Sequence, residues 1–311
     1  MTTRNQSSVT EFFLLGFSNL PELQFLLFVS FFIIYLMILT GNLLIILITT
    51  VDRTLQSPMY FFLRCLSFLE ICFDSVTVPK ILAVLSTEDK SISFAGCFVQ
   101  MLFFITFGVG ECCLLAAMAY DRYLAICNPL CYPVLMNRQV LIQLTGGSWL
   151  LGLLVAIVQT TWIFSFPFCG PNDINYFFCD TPPVLELVCA DTSVIELCTL
   201  MGTILVNVVP FLLILLSYIY IISTILKMPS TEGRKKAFST CSSHLIVVAL
   251  FYGAAILTYL QPKASSSAES KKLLTLSYIL LTPVLNPLIY SLRNSEVKRT
   301  LRRTLCWKTC S

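Results

Sequence analysis

Seven long apolar runs constrain this chain more than any other feature. A membrane-spanning helix needs about 20 mostly apolar residues. Runs of that length occur at roughly 23–50, 58–84, 97–127, 140–164, 196–226, 237–260 and 272–292. The breaks between them are short and polar, except for 165–195, which is rich in Pro, Asp, Asn and Cys and reads as one long loop. Composition agrees. The 311 residues are 57% hydrophobic and 12% charged, with a mean hydropathy of +0.83, whereas a soluble domain carries roughly 25% charge. A chain with so little polar surface cannot cover itself in water, so lipid must be its solvent. The expected fold class is an all-α membrane protein, a seven-transmembrane helix bundle over 23–292. An N-terminal segment (1–22) precedes it and a tail (293–311) follows. The first twenty residues lack the basic, apolar and small-residue pattern of a cleavable signal, so the first span is expected to direct insertion.

Lys and Arg give the bundle a direction, because basic residues collect on the cytoplasmic side. Odd-numbered breaks, the helix ends facing them and the tail hold fourteen: Arg53, Arg64, Arg122, Arg138, Lys227, Arg234, Lys235, Lys236, Arg293, Lys298, Arg299, Arg302, Arg303 and Lys308. The opposite side holds six: Arg4, Lys80, Lys90, Lys263, Lys271 and Lys272. The N-terminus is therefore expected outside and the tail inside. Asn5 opens a glycosylation sequon, Asn5-Gln6-Ser7, which agrees. Residues 294–305, NSEVKRTLRRTL, alternate basic and apolar side chains and suit a short amphipathic helix on the inner surface. Cys306 and Cys310 lie near it as candidates for palmitoylation. A net charge of +3 gives no reason to expect a nucleic-acid partner.

Four cysteines fall on the outer side: Cys97 at the top of the third run and Cys169, Cys179 and Cys189 in the long loop. An even number in an oxidising compartment suggests two disulfides. Four cysteines allow three pairings, among which spacing does not choose.

Ionisable residues in mid-membrane are costly and mark function by default. Glu70 lies midway along the second run and Glu111 midway along the third. Facing one another, they could bind a cation such as Na⁺ or hold a proton between them; the alternative is two neutral acids bonded to backbone. Glu111 and Arg122 are eleven residues apart, which puts them on one helix face about 16 Å apart. Phe104 and Gly108 extend that face outward. One side of the third helix thus runs from an apolar section, through an acid, to Asp121-Arg122-Tyr123 at its inner end.

That tripeptide sits in MAYDRYLAIC (118–127). Other strings accompany it in order: GN at 41–42, PMYFFL at 58–63, LSFLE at 66–70, KAFSTCSSHL at 236–245, FYG at 251–253 and PVLNPLIYSLRN at 283–294. Together they resemble the olfactory receptors of the tetrapod (class II) type, within the rhodopsin-like G-protein-coupled receptors. The resemblance implies a plasma-membrane receptor of olfactory cilia that binds a small volatile odorant and raises cyclic AMP through a stimulatory (olfactory-type) G protein. An export chaperone is a further implied partner. It implies that Arg122 is an inner latch released to admit the G protein, flanked by Asp121 and Tyr123. Tyr218 and Tyr290 would swing inward, Asn286 and Pro287 would loosen the seventh helix, and His244 would be a switch contact on the sixth. It also implies the pairs Cys97–Cys179 and Cys169–Cys189. The chain departs from the family pattern in having Glu70 where Asp is frequent, and Cys131 where a basic residue or His is usual.

A pocket in such a bundle should lie in its outer half. The expected lining is Phe104, Ile105, Gly108 and Val109; Gly202, Thr203, Val206 and Asn207; Tyr252, Ala255, Ile256 and Tyr259; and Leu276 and Ile279. It contains no Lys, Arg or carboxylate, and suits a small, mostly apolar, neutral ligand with one hydrogen-bonding group. Two rival classes fare worse. A transporter would show internal repeats and paired broken helices. A zinc protease needs several His, and His244 is the only one.

Overall fold

The structure is a computed structural model that describes residues 9–16, 21–169, 171–259, 268–293 and 297. Asn5, Cys306, Cys310 and all of 294–305 except Val297 lie outside the described residues, as does the side chain of Tyr259.

Strand β1 (Glu11–Leu14) leads into α1 (Gln24–Val51) and α2 (Pro58–Ser86). Strand β2 (Ser91–Ser93) runs directly into α3 (Phe94–Cys127), followed by a short α4 (Tyr132–Leu135) and α5 (Arg138–Phe164). Strand β3 (Asp173–Ile174) and short α6 (Thr181–Leu185) lie in the long loop, before α7 (Ser193–Lys227), α8 (Thr231–Tyr259) and α9 (Ala268–Arg293). Local chemistry sets several starts. Pro58 occupies the first turn of α2, where its missing N–H is not needed. Ser93 caps α3 by accepting from Gly96 N at 3.0 Å, and Asn137 caps α5 by accepting from Val140 N at 3.0 Å.

The seven long helices coincide with the seven apolar runs. Five of them are apolar enough by composition alone to cross a membrane. Helix α2 falls short because it carries Arg64, Glu70, Asp74 and Lys80. Helix α9 holds the apolar stretch Ile279–Tyr290 among its described residues. Glu70, Asp74 and Lys272 are buried within the protein, so lipid does not meet these charges.

Helix α3 is the axis of the bundle and packs against α2, α5 and α7. Of its most apolar window 67% is buried, against 28% for α1 and 22% for α5 and α7, whose large apolar side chains point outward as lipid requires. The α3–α5 approach is closest at Gly152. A Cβ built there would stand 2.3 Å from the Thr106 carbonyl oxygen. Small residues allow such contacts between membrane helices.

The helical bundle carries one feature that the apolar runs did not announce: one end of it is covered by a three-stranded sheet in the order β2-β1-β3. Strand β1 pairs antiparallel with β2 (Phe12 opposite Ile92) and parallel with β3 (Phe13 opposite Asp173). Phe12 and Leu14 point inward and are fully buried, while Glu11 and Phe13 face out. This period-two pattern spans only four residues, too few to register as a strand beside runs of more than twenty. Cys97–Cys179 ties the long loop to the top of α3, and Cys169–Cys189 closes the loop on itself. Lys272 of α9 donates to Gly16 O at 3.1 Å and Asn175 Oδ1 at 2.5 Å, and lies 5.9 Å from the Phe177 ring centroid. The loop, the segment before α1 and α9 are thereby held together.

Candidate functional site

Below the sheet lies a cavity of about 130 Å³ between α3, α5, α7 and α8, roofed by the start of α6. Nine of the expected lining residues reach it: Phe104, Ile105, Gly108, Val109, Gly202, Thr203, Val206, Asn207 and Ala255. Helix periodicity explains one that does not. Ala255 faces inward, so Ile256, a rotation of about 100° further on, faces out and is 47% exposed. Leu276 and Ile279 are buried in the core without lining the cavity. Tyr252 sits behind it. Its ring packs on Phe211 at 5.1 Å, and its hydroxyl lies 3.5 Å from the carbonyl of Cys112, which does line the cavity.

The cavity is displaced from α9 toward α5 and the long loop, and it gains residues that sequence patterning missed. Val155 and Gln159 come from α5; Asp180, Thr181 and Pro182 from the roof; Thr199 from α7. Asp180 corrects the expectation of a lining without a carboxylate. The disulfide at the neighbouring Cys179 carries it inward, where it is 4% exposed and caps α6 through Thr181 N at 2.8 Å. Burial pushes its carboxyl up to about 6, outweighing the opposite pull of that hydrogen bond. Four consecutive Cys-Asp-Thr-Pro residues in a polar loop gave no periodic signal of this placement.

Midway down α3 is a second polar centre. Glu70 and Glu111 are both buried and close enough to interact electrostatically. Asn286 of α9 donates to Glu70 Oε1, and Asn42 of α1 stands beside the same carboxyl. Asp74, one turn along α2 from Glu70, is fully buried and within electrostatic reach of both glutamates. Spacing from Glu70 could have found it, since i and i+4 share a face. Among the described residues, Glu70 Oε2, Glu111 Oε1, both Asp74 oxygens and Asn286 Oδ1 have no hydrogen-bond partner. Among the described residues no three His, Cys, Asp or Glu side chains are grouped to hold one metal ion.

At the far end of α3, Arg122 and Asp121 form a clamp. Arg122 donates to Asp121 Oδ2 from Nε at 3.0 Å and from a terminal nitrogen at 2.5 Å. Tyr132 of α4 donates to the other oxygen, Oδ1, at 2.7 Å. Burial first, then the Asp121 charge, hold the Tyr132 hydroxyl well above its usual range, so it remains a donor. Tyr132 is another residue that sequence reading passed over. Tyr218 of α7 hydrogen-bonds His244 Nδ1 of α8 at 2.8 Å, tying those two helices together. Tyr290 of α9 is buried and lies within electrostatic reach of Arg122, Glu70 and Glu111, between clamp and polar centre. Tyr123 does not join the clamp. It packs edge-on against Tyr220 of α7, with ring centroids 6.0 Å apart. Pro287, next to Asn286, is buried where α9 meets α1 and approaches Gly41.

The class of molecule follows from this architecture. The fold is that of squid rhodopsin, with a TM-score of 0.72 at 17% identity over 92% of this chain and 86% of that one. Sequence then gives the particular family. A family model described as "Olfactory receptor" matches residues 31–308. Human (Homo sapiens) olfactory receptor 10A3 is 62% identical over 97% of this chain and 96% of its own length. Olfactory receptor 10A5 is 61% identical over 98% and 96%, and 13D1 is 48% identical over 98% and 88%, both also from Homo sapiens. The chain belongs to the olfactory receptor family. It is a multi-pass membrane protein and a signalling receptor rather than an enzyme.

Proposed function

We propose that the cavity beneath the sheet is the odorant site and that the Asp121–Arg122 clamp is the switch for a stimulatory, olfactory-type G protein that raises cyclic AMP. One observation carries this reading: a single helix, α3, lines the cavity at one end, bears Glu111 at its middle and ends in the clamp. A ligand shifts the resting equilibrium only as far as it binds the active arrangement better. In the active arrangement Arg122 leaves Asp121 to meet the G protein, while Tyr218 and Tyr290 move with α7 and α9. Glu70 and Glu111 hold a monovalent cation such as Na⁺ or a proton between them, because uncompensated buried carboxylates would be too costly. The sheet-covered end faces outward and the clamp inward, following the Lys and Arg asymmetry. The receptor works in the plasma membrane of olfactory cilia, delivered with the help of an export chaperone.

The test is a broad panel of volatile compounds applied to cells that display the chain and carry a cyclic AMP reporter. At least one compound should give a saturable response, and Arg122→Ala should abolish it at equal surface display. A displayed chain silent to the whole panel, or an Arg122→Ala variant with normal signalling, would overturn the reading.

A further inference from the structure

We propose that the cavity selects small ligands that donate a hydrogen bond, alcohols and amines, through Asp180, and turns away carboxylic acids. This rests on the cavity being the odorant site. Two independent observations support it.

The first is an uncompensated acid. Asp180 lines the cavity and is 4% exposed. Its sole hydrogen-bond partner among the described residues is Thr181 N, on Oδ1, so Oδ2 is free to accept. No ion pair reaches it among the described residues. Lys272, a cation at the same end of the bundle, directs its ammonium at Gly16 O and Asn175 Oδ1 instead. A buried carboxylate without a partner is unfavourable. A ligand O–H or N–H would supply that partner, and a ligand carboxylate would add a second negative charge.

The second is the direction of the amides in the wall. Gln159 donates to Thr181 Oγ1 at 3.2 Å, and Asn207 donates to Thr203 O at 2.8 Å. The Thr181 hydroxyl is turned to the Met101 sulfur at 3.9 Å. Each amide thus directs one of its two N–H groups into the protein, and Gln159 Oε1 and Asp180 Oδ2 stand in the wall as acceptors. Much of the remaining wall is apolar, with Phe73, Phe104, Val109, Val155 and Val206. The volume is close to that of a protein cavity known to admit benzene, about 150 Å³. The matching ligand is therefore about benzene-sized, apolar over most of its surface, with a donor at one end.

The experiment uses the full-length receptor in displaying cells with the cyclic AMP reporter. Compounds active in the broad panel are followed by a matched set: butan-1-ol, butan-1-amine, methyl propyl ether and butanoate. Among the panel actives, compounds with O–H or N–H donors should predominate. In the matched set the alcohol and amine should exceed the ether in potency by about tenfold or more, as for a hydrogen bond to a charged group, and butanoate should be weakest. Asp180→Asn keeps the helix cap, since Asn serves there as well as Asp. It should reduce the amine most and narrow the gap between amine and butanoate. Asp180→Glu, which keeps the charge, should preserve the order. Ether or butanoate equal to the donors in wild type, or an unchanged ranking in a displayed Asp180→Asn variant, overturns the inference while leaving the receptor reading intact. The wild-type ranking decides even if Asp180→Asn is not displayed. A receptor silent to every compound overturns both.

Discussion

Replacing Gly152 by Ala tests the seam that holds the cavity in shape. The added Cβ would stand 2.3 Å from Thr106 O and 3.2 Å from the Thr106 carbonyl carbon. A carbon and a carbonyl oxygen approach to about 3.3 Å at closest, so α3 and α5 must separate by roughly 1 Å. The obstructing atom belongs to the backbone of a long helix and cannot rotate aside. Overpacking of this kind costs about 1–3 kcal/mol, and a backbone obstruction belongs at the upper end. Ala also favours helix over Gly by about 1 kcal/mol, which would mask part of the loss. Gly146 and Gly147 lie in the same helix with nothing within 4 Å of an added Cβ. Comparing Gly152→Ala with Gly147→Ala cancels the propensity gain and isolates a steric cost near 3 kcal/mol, about a hundredfold in the folded fraction. The assay is thermal melting of purified receptor in detergent, with surface display in cells alongside. Gly147→Ala should melt at or above wild type and Gly152→Ala clearly below it. Odorant potency should fall with Gly152→Ala as well, because the seam positions Ile105, Val109 and Val155 around the cavity. Gly152→Ala melting as high as Gly147→Ala would refute the reasoning.

Three further outcomes are expected. Tyr132→Phe removes the 2.7 Å hydrogen bond to Asp121, an interaction with a charged group worth about 1.5–3 kcal/mol; basal cyclic AMP should rise severalfold, and an unchanged or lower basal signal would count against a resting clamp. Loss of Cys97–Cys179, which spans 82 residues, should cost about 4.5 kcal/mol on chain-entropy grounds, and loss of Cys169–Cys189, which spans 20, about 3.3; Cys97→Ser should therefore reduce surface display more than Cys169→Ser. Asp180 binds its proton more tightly folded than unfolded, about 6 against a usual 3.8, so its contribution is fully present below about pH 4 and is lost as pH rises through about 6. The loss is about 3 kcal/mol. Asp180→Asn should flatten that part of the stability–pH profile and raise the melting temperature of the ligand-free receptor at neutral pH; an unaltered profile would contradict the burial of an unpaired acid.

The sequence by itself determined the seven spans, because a bilayer demands about 20 apolar residues in a row and little else in the chain offers them. It located Glu70, Glu111 and Arg122 for a related reason: charge among apolar residues stands out in one dimension. The order of the motifs identified the family before any contact was known. Much of the cavity was legible too, since one face of α3 and one of α7 repeat every three to four residues. Only the tertiary structure decided what lies between elements. Asp180 and Thr181 line the cavity because a disulfide draws a polar loop inward. Tyr132 reaches Asp121 because α4 folds back beneath α3. Strand β1 finds partners at Ser91–Ser93 and Asp173–Ile174, far away in sequence. None of these contacts is periodic. Each depends on two distant segments meeting, and hydrophobic patterning, which records only how one segment meets lipid or core, carries no trace of which segments will meet.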